Sequence, residues 1–411
     1  MIPLSPAEVA ELAPGRLEAA PWAEQVTGLK TDSRLVEEGD LFVAVGGGED
    51  FVKHAFARGA AATLLPDDAF AALAALAGAV RDRSSARFVA ITGSMGKTST
   101  KDILASICAP QRKTVAAERS YNAEIGVPLT IGRVEPDTEL CILELAMRGF
   151  GQIAELCAFT RPDLGVITNV GPVHLEKVGD IDGVTRAKAE LIAALPPGGT
   201  AIVPAGFPVE RADLEVVRVC EDVTLVSFVP PVLVTSLGSV EVDFTARHLA
   251  GNALTAFAAA DALGLELPDR LHVEFTEWRN QELPLPGGGV LLNDAWNANP
   301  VSMRAALEHL VQLAAGRRTV AVLGDMAELG DYSAAGHREV GSAVAELGIR
   351  EVVAIGPQAI AYGGHHVDTV DEAVAVLEEL LGPGDCVLVK GARAMGLERV
   401  AEALTSVAAG N

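Results

Sequence analysis

Basic residues are scarce in this chain: 32 Lys and Arg stand against 55 Asp and Glu, a formal net charge of −23. Such a surface repels polyphosphate backbones and anionic bilayers, which excludes nucleic acid and membrane surfaces as main partners. Small anions are not excluded, because a few cationic groups and helix N-termini can meet their charge locally. Cysteine is sparse too. Cys108, Cys141, Cys157, Cys220 and Cys386 are scattered, odd in number and outside any C-x-x-C pair. That pattern gives no disulfide framework and no thiolate metal cluster, and reads as buried thiols in a reducing compartment. No apolar run is long enough to span a bilayer; the most membrane-like stretch, Ala69 to Val80, is Ala-rich and too short. The start, Met1 to Pro6, shows no basic region ahead of an apolar core, so no signal peptide is expected and a cytoplasmic location is. Aromatics make up only 4%, whereas 41 Gly and 49% hydrophobic residues suit closely packed α/β cores.

At roughly 150 residues per domain, the length of 411 residues suggests two or three domains. Residues 1–86 mix short strands such as Asp40 to Val45 with an Ala-rich helix ending near Val80, and the polar stretch Arg81 to Ser85 reads as a linker. Residues 87–283 begin with an apolar strand and carry further strands at Leu140 to Leu143 and Leu164 to Thr168. The Pro/Gly-rich run Leu283 to Gly289 reads as a second junction. Residues 284–411 alternate strands (Thr319 to Leu323, Glu351 to Ile355, Cys386 to Val389) with helices (Gly336 to Leu347, Val370 to Leu381). Such alternation requires crossover connections and therefore a largely parallel sheet, so an α/β fold is expected.

The densest chemical signal is Phe88 to Thr100, a β-branched apolar run entering Thr92-Gly93-Ser94-Met95-Gly96-Lys97-Thr98-Ser99. The order strand, glycine loop, Lys-Thr, helix gathers backbone N–H groups, a helix N-terminus and an ammonium around one point, where a polyphosphate can sit. The hydroxyl of Thr98 is placed to ligate Mg²⁺. With glycines at 93 and 96, the loop is shorter than the usual G-x-x-x-x-G-K-[ST]. Glu144 follows an apolar strand, at the carboxyl end where ligands of parallel sheets gather; it suits a metal ligand or a solvated strand-end acid equally. His174 also follows a strand, and Lys188 lies in an Ala-rich helical stretch. Taken alone, each reads as an ordinary surface or core residue.

Together these segments resemble the Mur ligase family over nearly the whole chain. The resemblance rests on Thr92 to Thr98, Asn122 to Thr130, Thr168 to Glu176, Ala187 to Glu190, Asp294 to Met303, Leu323 to Gly330 and Lys390 to Met395. It implies three domains: a small α/β UDP-binding domain, a P-loop ATPase domain with a central parallel sheet, and a Rossmann-like C-terminal domain. It implies an ATP-dependent amide ligase of peptidoglycan precursor synthesis, working through an acyl phosphate, with UDP-N-acetylmuramoyl peptide and D-alanyl-D-alanine as substrates. Gly93, Ser94, Gly96, Lys97, Thr98 and Ser99 would hold the ATP phosphates, with Asn252, Arg279 and Asp294 toward the rest of the nucleotide. Thr98, Glu144, His174 and Lys188 match the ligands of two Mg²⁺ ions, Lys188 as a CO₂-derived carbamate. Lys390 and Arg393 would meet substrate. Asn297 and Asn299 could equally be turn residues around Pro300.

The same resemblance places a UDP-sugar on Ser33 and Arg34 of the segment Thr31 to Arg34, with His54. The chain departs from the family pattern at Val52 and Lys53, at Leu249, at Trp278 (where a glycine is usual), at Trp296 (tyrosine) and at Ala392 (serine). It also shows no clear counterpart of family segments between about 204 and 247. The alternatives are another Mur-type or a folylpolyglutamate-type ligase, or a paralogue that binds UDP-sugar without ligating. A monomer is expected.

Overall fold

The computed structural model describes residues 1–406; the last five residues of the third expected segment, 407–411, lie outside the described residues. The expected α/β class is found, with four sheets among the described residues. Strand Arg87–Thr92 is interior to a six-stranded, wholly parallel sheet. The order is Glu215–Val219, Thr200–Pro204, Leu164–Ile167, Arg87–Thr92, Leu140–Glu144, Thr114–Ala116. Burial on both faces explains why the four interior strands read as largely apolar runs. Phe88 and Ala90 enter one core with Leu143 and Ile167, whereas Val89 and Ile91 enter another with Leu104 and Phe257.

The first of these cores extends into the amino-terminal sheet. That sheet has the order Gly15–Ala19, Ala62–Pro66, Asp40–Val43, Gly28–Lys30, and Leu4, Leu41, Leu64 and Leu76 join Phe88 in one cluster. The stretch expected as a linker is therefore corrected: the helix Ala69–Arg83 runs through most of it. Arg81 donates from Nε to the Thr160 carbonyl (3.1 Å), pairs with Asp163 (3.1 Å) and lies 4.3 Å over the Phe88 ring. A half-buried guanidinium with three partners ties this helix to the central sheet rather than leaving a flexible joint.

The region 204–247 folds largely as a meander. Leu225–Val229, Val232–Thr235 and Gly238–Val242 pair antiparallel, and Arg270–Leu271 adds in parallel. Leu233, Val240 and Val242 attach it to the second core.

The last sheet has the order Gln281–Leu285, Gly289–Asn293, Cys386–Lys390, Thr319–Gly324, Glu351–Ile355, His365–Val367, parallel except for its first pair. The Pro/Gly run expected as a junction is therefore also corrected. Leu283, Pro284 and Leu285 belong to an edge strand of this sheet, and Pro286–Gly288 turns the chain back. Proline is tolerated there because an edge strand leaves one row of backbone groups unpaired. Among the described residues no helix is long and apolar enough to cross a membrane.

Candidate active site

The glycine loop occupies the carboxyl end of Arg87–Thr92, followed at once by helix Lys97–Cys108. Gly96 has φ +74, and a Cβ there would lie 2.3 Å from Asn252 Oδ1; at Gly93 a Cβ would lie 1.9 Å from Thr168 Oγ1. Both positions thus need glycine for space as well as backbone conformation. The loop following strand Leu164–Ile167 braces the glycine loop. Ser94 Oγ donates to the Gly171 carbonyl (3.0 Å) and accepts from its N–H (2.9 Å), and Met95 N–H donates to Asn169 Oδ1 (2.9 Å). Lys97 Nζ folds back onto the Gly93 carbonyl at 2.7 Å. Burial lowers its pKa, opposed by the nearby Glu144 carboxylate. Ser99 is buried in the first helical turn.

Glu144 ends strand Leu140–Glu144 and is fully buried. Thr98 Oγ1 donates to its Oε2 (2.9 Å) and Asn122 Nδ2 to its Oε1 (2.8 Å). The solvated-acid alternative is therefore ruled out.

Lys188 is 2% exposed in the middle of helix Ile181–Ala193, and its amine has no hydrogen bond or ion pair among the described residues. Burial, reinforced by Lys97, lowers its pKa well below the ordinary lysine value. His174 lies beside both lysines with its Nδ1 2.7 Å from Glu328 Oε2, and Glu328 also takes Arg148 at 3.2 Å. His174 and Glu328 have φ +55 and +60, conformations that non-glycine residues hold only when their surroundings impose them. This contact joins the central sheet's loops to those of the last sheet.

At the carboxyl end of the last sheet, buried Lys390 donates from Nζ to Asp294 Oδ2 and to the Asn297 carbonyl (2.8 Å). Asp294 also accepts from Asn280 N–H at 3.3 Å. Arg279 reaches Ser120 Oγ (3.4 Å), while its Nε is buried without a partner. Arg393 pairs with Glu398 at 2.7 Å. The Asn299 side chain caps helix Pro300–Ala314 in a capping box with Ser302, the local role expected of a turn residue. Asn297 Oδ1 accepts from the Ala298 N–H.

The third group of expected residues stands on the amino-terminal sheet. Ser33, Arg34 and His54 line one cleft of about 540 Å³ with Phe42, Val45 and Phe51. Ser33 Oγ and His54 Nδ1 are 2.9 Å apart, and Arg34 forks onto Asp32, whose carboxyl it holds down to about 2. An aromatic wall beside hydroxyl, imidazole and guanidinium groups suits a base with an attached anion. Sequence reasoning missed Asn122, Asn169 and Glu328 as parts of the site. All three lay in quoted motifs, but their partners are set by three-dimensional packing.

Thr98 and Glu144 offer hydroxyl and carboxylate oxygens, the hard donors Mg²⁺ prefers. No group of three or more His, Cys, Asp or Glu that could hold a metal occurs among the described residues, so such an ion would share phosphate oxygens. The unpaired, buried Lys188 amine fits conversion to an anionic carbamate, which would relieve its repulsion from Lys97.

Residues 91–260 match the family model of the Mur ligase middle domain, and residues 278–393 that of the Mur ligase glutamate ligase domain. A UDP-N-acetylmuramoyl-tripeptide–D-alanyl-D-alanine ligase of Mycobacterium tuberculosis is 33% identical over 99% of this chain and 98% of its own length. Among solved structures, MurF from Acinetobacter baumannii superposes with a TM-score of 0.83 at 27% identity, covering 98% of this chain and 99% of that one. The MurF ligase of Thermotoga maritima, solved in complex with ADP, gives 0.79 at 26% identity over 93% and 97% of the two chains. With matches running end to end through glycine loop, Glu144, Lys188 and Lys390, the chain belongs to the Mur ligase family.

Proposed function

We propose that this chain joins D-alanyl-D-alanine to UDP-N-acetylmuramoyl-tripeptide, with ATP split to ADP and phosphate, as a cytoplasmic enzyme. The observation that carries this reading is its near-complete coverage of relatives bearing that name. The substrate carboxylate attacks the γ-phosphorus of ATP, releasing ADP and leaving an acyl phosphate. The amine nitrogen then attacks the acyl carbon, phosphate departs, and the amine loses a proton.

Carboxylate and γ-phosphate repel each other, so the site must supply positive charge that water would otherwise screen. Lys97 supplies it from the glycine loop, where the backbone of Gly93, Ser94, Gly96 and Ser99 faces the phosphates. Thr98 and Glu144 would hold one Mg²⁺, and His174 with Glu144 and carbamylated Lys188 a second. When bound, these ions neutralise the approaching oxygens and the charge left on ADP. The depressed pKa of Lys188 favours the neutral amine, the form that takes up CO₂. Asn252, Arg279 and Asp294 face the remainder of the nucleotide. Lys390, fixed by Asp294, and Arg393 bring the last domain to the substrate. Ser33, Arg34 and His54 hold the uridine diphosphate. The three expected segments are kept as the functional division, with the first two sharing a core and the second boundary moved to before strand Gln281–Leu285.

Phosphate release measured with UDP-N-acetylmuramoyl-tripeptide, ATP and a varied amine tests the reading. Release with D-alanyl-D-alanine and little with free D-alanine is expected. Release with the free amino acid but not the dipeptide would overturn the substrate assignment.

A further inference from the structure

Two of the positions where this chain departs from the family pattern meet in space. Trp278 precedes strand Gln281–Leu285 and Trp296 follows strand Gly289–Asn293, yet their rings stack 5.9 Å apart at 20°. The Trp296 N–H donates to the Trp278 carbonyl at 3.3 Å. Arg393, from the turn after strand Cys386–Lys390, lies 4.7 Å over Trp278 and 5.3 Å from Trp296. Arg279 stands 5.6 Å from Trp296, so the indole pair gathers two guanidinium groups. Trp278 holds φ +62, a conformation that favours glycine, the residue usual at this position in the family pattern. A bulky residue kept in an unfavourable backbone conformation points to a role for its side chain.

We propose that the Trp278–Trp296 stack is a positioning platform for Arg393, fixing its half-exposed guanidinium for the amine-bearing substrate. The inference rests on the ligase reading above. Facing indole rings attract guanidinium through their electron-rich faces and restrict it to one plane, so less freedom is lost when an anion binds. Glu398 accepts from Nη1 of the same group at 2.7 Å.

Steady-state kinetics with D-alanyl-D-alanine, joined to melting curves, separates positioning from packing. Trp278→Gly should lower kcat/KM for the dipeptide roughly tenfold, the loss of a cation–π contact, with KM for ATP changed less than about twofold. Its melting midpoint should be unchanged or higher, because glycine relieves the backbone. Trp278→Phe should recover most activity. Arg393→Ala should be no worse when combined with Trp278→Gly. Additive losses, or a Phe variant as poor as the Gly variant, would overturn the proposal. In a Trp22→Phe background, the stacked indoles should give a far-ultraviolet exciton couplet that Trp278→Gly abolishes and Arg393→Ala retains. Absence of the couplet overturns the platform whatever the activity. An intact couplet without dipeptide turnover in the parent enzyme overturns the ligase reading, and the positioning role with it.

Discussion

Replacing Lys188 with methionine separates stability from activity at a single buried atom. The side chain is 2% exposed, and methionine retains most of its aliphatic volume, avoiding a loss of about 0.8 kcal/mol for each buried methylene. What is deleted is an amine without a partner, repelled by Lys97 and held well below the ordinary lysine value of 10.5 by burial. Between the folded value and 10.5 the unfolded chain binds the extra proton, so stability rises with pH there, by up to about 1.4 kcal/mol per unit. Below that window the whole penalty is present. In CO₂-free buffer, Lys188→Met should therefore be at least as stable as the parent near neutral pH, with a flatter alkaline profile. Its kcat should nevertheless fall by roughly 10²-fold or more, about 3 kcal/mol of transition-state stabilisation. Short carboxylates should partly rescue Lys188→Ala, which leaves room for them, and not Lys188→Met, which fills it. Phosphate-release assays and melting curves across pH measure both halves. Parental kcat in the methionine variant, or a stability loss above about 2 kcal/mol at neutral pH, would refute the reasoning.

Lys390→Met leaves Asp294 buried without its cation and should cost about 3–5 kcal/mol in denaturant unfolding, most of it recovered by adding Asp294→Asn. Burial lowers His248 to about 4, partly opposed by Asp294, so the unfolded chain binds the extra proton between that value and 6.5. Stability should fall with acidification through this window, by up to about 3 kcal/mol, and His248→Gln should flatten the profile; parallel curves would remove His248 as the cause. Ser33→Ala and His54→Ala should each raise KM for the UDP-linked substrate about five- to tenfold while leaving kcat and KM for ATP unchanged, and a pure kcat effect would contradict the cleft assignment.

The glycine loop, the strand before it and the alternating last third were legible because their residues are locally constrained. A β-branched run buried on both faces, two glycines at positive φ and capping boxes each leave a signature within a few residues. The boundaries were read less well. Arg81 and Arg83 look like loop residues by composition, yet the carbonyls of Thr160 and Arg161 that receive the Arg81 guanidinium are about 80 positions away. Pro284 and the following glycines imitate a linker because an edge strand and its turn use the same residues. Glu328 could not be assigned to His174 from spacing, since the two meet only when loops of two sheets come together. The Trp278–Trp296 stack was visible as two departures from a pattern, and only packing shows them to be one.

The most direct test uses UDP-N-acetylmuramoyl-tripeptide carrying heavy oxygen in its reacting carboxylate, with ATP and D-alanyl-D-alanine, followed by mass spectrometry. The expected result is a product heavier by one D-alanyl-D-alanine residue pair, with one labelled oxygen transferred to the released phosphate. Product without label in phosphate would contradict the acyl-phosphate route, and phosphate release without the extended product would contradict the ligase itself.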